Sequence, residues 1–275
     1  MGPALPIEEL RRYLERLYES RNHFSHIFPD PLQHVYRFQE PADRELAGFL
    51  ASCFAFGRVE QINRHLNRFF AAVGRPGAFL AASGRRDLEA AFQGWRYRFT
   101  DGGDTACLML GLKRLLEDYG SLAGCFRAAF GARGSRREAT FLPALACFVG
   151  ELRRRMDGGR CFLVADPHGG SALKRLNLFL RWMVRRDDVD PGPWSDLPAD
   201  RLIVPLDTHM HRFGRALDFT RRKQADLRAA LEVTEGFRRV CAEDPVKYDF
   251  SLTREGISGT GIPGRFVKAV SKRVA

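Results

Sequence analysis

Apolar residues recur at helical spacing along almost the whole chain. Leu10, Leu14, Leu17 and Tyr18 share one face of a segment spanning 7–20. A loop over 24–41, rich in proline, histidine and aromatic residues, separates it from a stripe of Leu46, Phe49, Leu50, Cys53 and Phe54, with Asp43 placed as an N-cap. Another helix begins at Val59 and carries Ile62, Leu66, Phe69 and Phe70, and a short one with a favourable early proline spans 76–82. The pattern predicts a helix over 87–99 that ends in Trp95, Tyr97 and Phe99, then a turn at Asp101-Gly102-Gly103-Asp104. A long helix follows through Leu108, Leu112, Leu115 and Leu116 and stops at Gly120. Further helices are predicted over 121–130 and, running through Pro143, over 138–156. Period-two alternation is nearly absent; the one short apolar candidate, 160–164, reads as loop. The prediction is an all-α fold with no sheet.

The second half holds the less ordinary elements. A helix over 172–186 is apolar on most sides and should be buried. Its polar positions Lys174, Asn177, Arg181 and Arg185 are spaced 3, 4 and 4 apart and line a single face. After a Pro/Asp-rich loop over 187–200 comes Ile203-Val204-Pro205-Leu206-Asp207-Thr208-His209-Met210-His211-Arg212, an apolar approach that ends in an acid at a helix start. Amphipathic helices over 223–240 and from Asp244-Pro245 through Leu252 complete the set. A glycine-rich turn over 258–264 and the basic residues Arg265, Lys268, Lys272 and Arg273 follow. With no repeat or long linker, the chain reads as a single domain of two lobes, one over about 45–200 and one formed by 1–44 with 201–275.

Charge narrows the partners. The chain has 44 Lys and Arg against 33 Asp and Glu, a formal net charge of +11. That favours a polyanion, nucleic acid before an acidic membrane, although an arginine-rich composition alone gives the same balance. Six cysteines show no C-x-x-C spacing, so they signal neither a zinc ribbon nor an iron–sulfur cluster. They read as small buried hydrophobes in a reducing compartment. The start of the chain shows no basic-then-apolar leader pattern, and the expected location is cytoplasmic.

Two helix starts carry the candidate chemistry. Gly169, Gly170 and Ser171 suggest a tight turn feeding the helix of Lys174, with Ser171 as its cap and free N–H groups facing a phosphate. A first-turn amine near a positive helix end and other cations is disfavoured in its protonated form, which makes Lys174 a candidate nucleophile. Asp207 is the candidate acid; it can cap its helix with one oxygen and keep the other for a cleft. Arg175, Arg181, His209, Arg212 and Arg215 surround the two as candidate phosphate or base contacts. His209 and His211, at i and i+2 on a helix, point apart and do not suggest a metal site.

A glycine turn, a lysine-bearing helix and then an apolar-Asp-Thr-His segment resemble the helix-hairpin-helix DNA glycosylase/AP lyase superfamily. In that superfamily a Pro-Gly-Val-Gly-x-Lys hairpin precedes Val-Asp-Thr-His. The long interval from Lys174 to Asp207 is similar to that of the archaeal 8-oxoguanine glycosylase type. The stretches PLDTHMHR, LEVTE and DPVKYDFSLTREGI also look like a bacterial family of unassigned function related to the superfamily. This chain departs from the hairpin in carrying Asp166-Pro167-His168-Gly169-Gly170-Ser171, with an extra residue before Lys174, and it lacks the four-cysteine cluster of the endonuclease III type. The resemblance implies base excision from DNA through Lys174 and Asp207 without a metal or diffusible cofactor. The target base would be flipped out and stacked on an aromatic such as Trp182, for which a core role is the alternative. Open alternatives are a non-catalytic nucleic-acid-binding protein, of DNA or RNA, on the same scaffold, and a helical scaffolding protein whose charge is incidental.

Overall fold

The computed structural model describes residues 6–131, 138–157 and 161–258, with side chains to 256. Twelve α-helices stand among the described residues: α1 (Ile7–Arg21), α2 (Pro41–Cys53), α3 (Val59–Val73), α4 (Pro76–Ala82), α5 (Arg85–Ala91), α6 (Gly102–Tyr119), α7 (Leu122–Gly131), α8 (Leu142–Arg155), α9 (Lys174–Val184), α10 (Thr208–Ala216), α11 (Leu227–Arg238) and α12 (Asp249–Ser258). The fold is essentially all-α. The exception is an antiparallel pair of two-residue strands, β1 (Arg96–Tyr97) and β2 (Thr100–Asp101), joined by Arg98 and Phe99. The helix expected over 87–99 therefore stops at Ala91. An aromatic run such as Trp95, Tyr97 and Phe99 suits either period, and Tyr97 is held in the strand by its hydroxyl, which donates to the Phe56 carbonyl at 2.6 Å.

The centre of the molecule is α9 packed on α2. A glycine makes the approach possible: a methyl at Gly48 would lie 2.7 Å from Met183 Cε. Around this contact an aromatic chain runs from Phe49 to Phe179 (ring centroids 5.1 Å apart), to Trp194 (5.2 Å) and to Phe126 (5.6 Å). Trp194 comes from the 187–200 loop and donates to Glu45 Oε1 at 2.8 Å, so this loop is a piece of the core. Helices α6, α7 and α8 pack against one another on one flank, and α1, α10, α11 and α12 form a chain of contacts on the other.

Several boundaries move for local reasons. Glu40, not Asp43, precedes α2; Asp43 is buried in the first turn and accepts from Arg75 Nε and Gly77 N. Pro143 sits in the first turn of α8, where its missing N–H costs nothing, so 138–141 lies outside the helix. Helix α6 starts from a capping box between Asp101 and Asp104 and ends at Gly120 in a left-handed conformation. Cys53, Cys125 and Cys161 are buried, but Cys107 and Cys241 are half-buried and Cys147 is exposed, which corrects the reading of these six free thiols as core residues. No helix among the described residues is long and apolar enough to cross a membrane. The 258–264 turn beyond Ser258 and the basic residues 265–273 lie outside the described residues.

Candidate functional site

Helix α9 begins later than its apolar pattern implies. Gly170 is left-handed, and its carbonyl accepts from Leu227 N at 2.9 Å, while Ser171 bridges to Asp226. The turn is thus stitched to the start of α11, and Ser171 does not cap α9. Leu173 takes the N-cap position with φ of 52°, a left-handed conformation that costs a β-carbon-bearing residue about 1 kcal/mol. No side chain caps α9, so the N–H groups of its first turn and the positive end of its dipole have no side-chain acceptor. Gly169, Gly170 and Ser171 are exposed beside this end.

Lys174 is the first residue of α9 and is half-buried. Its Nζ lies 3.5 Å from the Ala55 carbonyl and has no carboxylate partner among the described residues. Its neighbour Arg175 is not poised for phosphate. Arg175 donates to the carbonyls of Cys53 (2.6 Å), Leu163 (3.1 Å) and Phe162 (2.6 Å), and its guanidinium lies over the rings of Phe56 and Phe162. Burial pulls its pKa below the usual arginine value.

The rest of the α9 stripe turns inward, which corrects the reading of Arg181 as a phosphate contact. Arg181 is buried and donates through Nε and Nη2 to Asp190 (3.0 and 2.9 Å) and through Nη1 to Asp249 (2.7 Å). Arg185 is held by Asp190, by Asp244 at 2.8 Å and by Asp187 at 2.9 Å. Burial opposes both charges, and the surrounding carboxylates overcome it, raising both pKa values above the ordinary arginine value. Asn177, between Lys174 and Arg181 on the same face, is buried; its Oδ1 has no hydrogen-bond partner among the described residues. Trp182 is fully buried and cannot stack on a base.

Asp207 caps α10 as its position predicts, accepting from Met210 N at 2.8 Å through Oδ1, while Met210, Phe213 and Leu217 pack inward. It makes no ion pair with Lys174. Asp207 acts instead on Asp249, the partner of Arg181, which feels its charge. Burial first, and the Asp207 and Asp190 charges with it, push Asp249 up to about 6 against the pull of Arg181. Lys174, Asn177 and Arg181 thus share one face of α9, and of these only Arg181 is paired with Asp249 of α12. His209 lies against α12, its Nδ1 3.0 Å from where a methyl on Gly256 would sit. His211 is turned away, in contact with the Arg222 carbonyl at 3.0 Å. Arg212 and Arg215 are exposed, with no partner among the described residues. No three His, Cys, Asp or Glu side chains among the described residues are grouped so as to hold a metal ion.

The sequence does not single out Asp190 and Asp249, which share Arg181 from 9 and 68 residues away. Nor does it single out the exposed rings of Phe99 and Phe162, 71% and 50% accessible. The only sequence signal for the latter is an arginine directly before Phe99.

An all-α protein with an uncompensated lysine at one helix start and an acid at another is what this geometry defines. Residues 30–258 match the model of a family described as "Protein of unknown function (DUF2400)", and the chain belongs to that family. No curated protein and no solved structure matches the chain.

Proposed function

We propose that the protein excises a damaged base from DNA and can cleave the abasic strand, in the manner of the helix-hairpin-helix glycosylases that its sequence resembles. The observation that carries this reading is Lys174: a half-buried amine at the uncapped, positive end of α9, without a counter-ion among the described residues. It shares its helical face with Arg181, whose partner Asp249 feels the charge of Asp207. In the proposed reaction Lys174 Nζ, as the free amine, attacks C1′ of a flipped nucleotide. The C1′–N bond breaks and the base leaves with a proton. The amine is left joined to C1′; its lone pair then opens the sugar ring, breaking C1′–O4′ as O4′ takes up a proton, and the resulting protonated imine loses a C2′ proton and expels the 3′ phosphate. The Asp207 oxygen not used for capping would stabilise positive charge developing on the sugar. Arg212 and Arg215 would take flanking phosphates.

Borohydride trapping on abasic and lesion-bearing oligonucleotides tests this directly. The native chain should form a covalent adduct, and Lys174→Gln should form none while keeping its affinity for DNA. A native chain that never traps, on any lesion, sinks the lyase reading. One observation favours a second reading, binding of nucleic acid without chemistry: the Gly169–Ser171 segment is tied to α11, so the hairpin grip of the superfamily is not reproduced. Salt-dependent DNA binding without trapping is the result that supports it.

A further inference from the structure

The most exposed ring–cation cluster of the described surface lies beside the Lys174 end of α9. Phe99, at the tip of the β1–β2 hairpin, meets Phe162 edge-on with centroids 5.6 Å apart, and Phe162 meets Phe56 at 5.1 Å. Guanidinium groups cover these rings: Arg98 lies over Phe99 at 5.3 Å, and Arg175 over Phe162 at 5.0 Å. The tip is held in place. Tyr97 is anchored to the Phe56 carbonyl, and Arg98, left-handed at φ of 53°, lies over Gly57, where a methyl would come within 2.7 Å of its Nη1. The same carbonyl segment, at Ala55, contacts Lys174.

The segments that carry the hairpin tip and its support are basic. Arg58, Arg64, Arg68, Arg96 and Arg98 are exposed and make no ion pair among the described residues; Arg68 stacks over Trp95 at 4.2 Å. Glu60 is the only carboxylate within 56–68, and 96–99 has none. Solvent-facing aromatics next to unpaired arginines are matched by a ligand that has flat faces and repeated negative charge.

We propose that Phe99 and Phe162, with Arg98 and Arg175 stacked on them, form a platform for unpaired bases of a DNA strand whose phosphates are met by Arg58, Arg64, Arg68 and Arg96. The proposal rests on the reading of DNA as the substrate, but not on the lysine chemistry. The platform lies on the strand beside the excision site and holds it open, a task that buried Trp182 cannot perform.

The test is titration of the full chain with a single-stranded oligodeoxynucleotide carrying 2-aminopurine, across a salt series. Stacking quenches the native signal. The Phe99→Ala, Phe162→Ala double variant should bind ~10-fold or more weakly and lose the quench, because each stacked base contributes substantially and independently of sequence. Its salt slope should stay unchanged, whereas Arg64→Ala with Arg68→Ala should flatten the slope and keep the quench. Both rings are largely solvent-exposed, so the melting temperature should hold, and Phe99→Trp should restore quenching. A double variant that binds and quenches like the native chain assigns these rings to another partner, such as a protein, and overturns the proposal; so does native binding with no 2-aminopurine response. Quenching without borohydride trapping retains the platform and removes the enzyme. Trapping with an unaffected double variant does the reverse.

Discussion

The two ends of α9 carry the same kind of residue on the same helical face and meet opposite fates. At the C-terminal end Arg181 and Arg185 are enclosed by Asp187, Asp190, Asp244 and Asp249. At the N-terminal end Lys174 touches one carbonyl, at 3.5 Å, and no carboxylate among the described residues. A buried cation needs counter-charge, because the desolvation cost is otherwise too large. The caged end is therefore accounted for by folding alone. The other end, half-buried at a positive dipole and without counter-charge among the described residues, would favour a bound anion.

The sharpest way to break this comparison is to open the cage. Arg181→Gln leaves Asp190 and Asp249 buried with less compensation and should cost about 3–5 kcal/mol in denaturant unfolding at pH 7. The loss should shrink at pH 5. Asp249 already has a raised folded pKa, about 6 against 3.8 unfolded, so its folding contribution falls as pH rises through that window. Without Arg181 it binds its proton more tightly, and acid restores part of the stability. A deficit that is equal at both pH values removes Asp249 from the argument.

A buried base without a counter-charge provides the contrast in sign. Burial, and then Arg68, push His65 down to about 4, and its Nε2 has no partner among the described residues. The unfolded chain therefore takes up the proton first, and stability is lost as pH falls from 6.5 toward 4. His65→Phe, stacking on Tyr97 in its place, should remove a pH dependence of order 1–3 kcal/mol over that range, read from melts at a series of pH values. A variant with the native acid sensitivity would place the dependence elsewhere.

The cap separates structure from chemistry at Asp207. Asp207→Ala should cost about 1 kcal/mol, whereas Asp207→Asn, an equally good cap, should unfold like the native chain. If Asp207 also serves excision, the asparagine variant loses trapping at unchanged stability. The smallest effect is the most local: Asp207→Asn removes a neighbouring negative charge and should lower the Asp249 pKa by a fraction of a unit, visible in a carboxyl-carbon NMR titration. An unmoved Asp249 would remove the electrostatic influence of Asp207 on the partner of Arg181.

Local chemistry made some of this legible in the sequence. Asp207 reads as a cap, Gly120 as a stop and Pro76 as a start, because each acts on backbone within four residues. Arg181 and Arg185 read as one basic stripe with Lys174, since periodicity gives a face but not what packs on it; Asp244 and Asp249 arrive from 59 and 68 residues away. The start of α9 was hidden because Leu173 in a left-handed conformation is a tertiary imposition, with no glycine to announce it. The hairpin that presents Phe99 was read as helix because the pull on Tyr97 comes from Phe56, 41 residues earlier.

Arg175 sets the operating range of the corner that Lys174 occupies. It grips the end of α2 and the 161–163 loop through three peptide carbonyls, none of which titrates and none of which carries a net charge for salt to screen. Buffers acidic or concentrated enough to loosen the surface ion pairs of this arginine-rich chain should leave that clasp shut, so the corner stays assembled while phosphate contacts around it weaken.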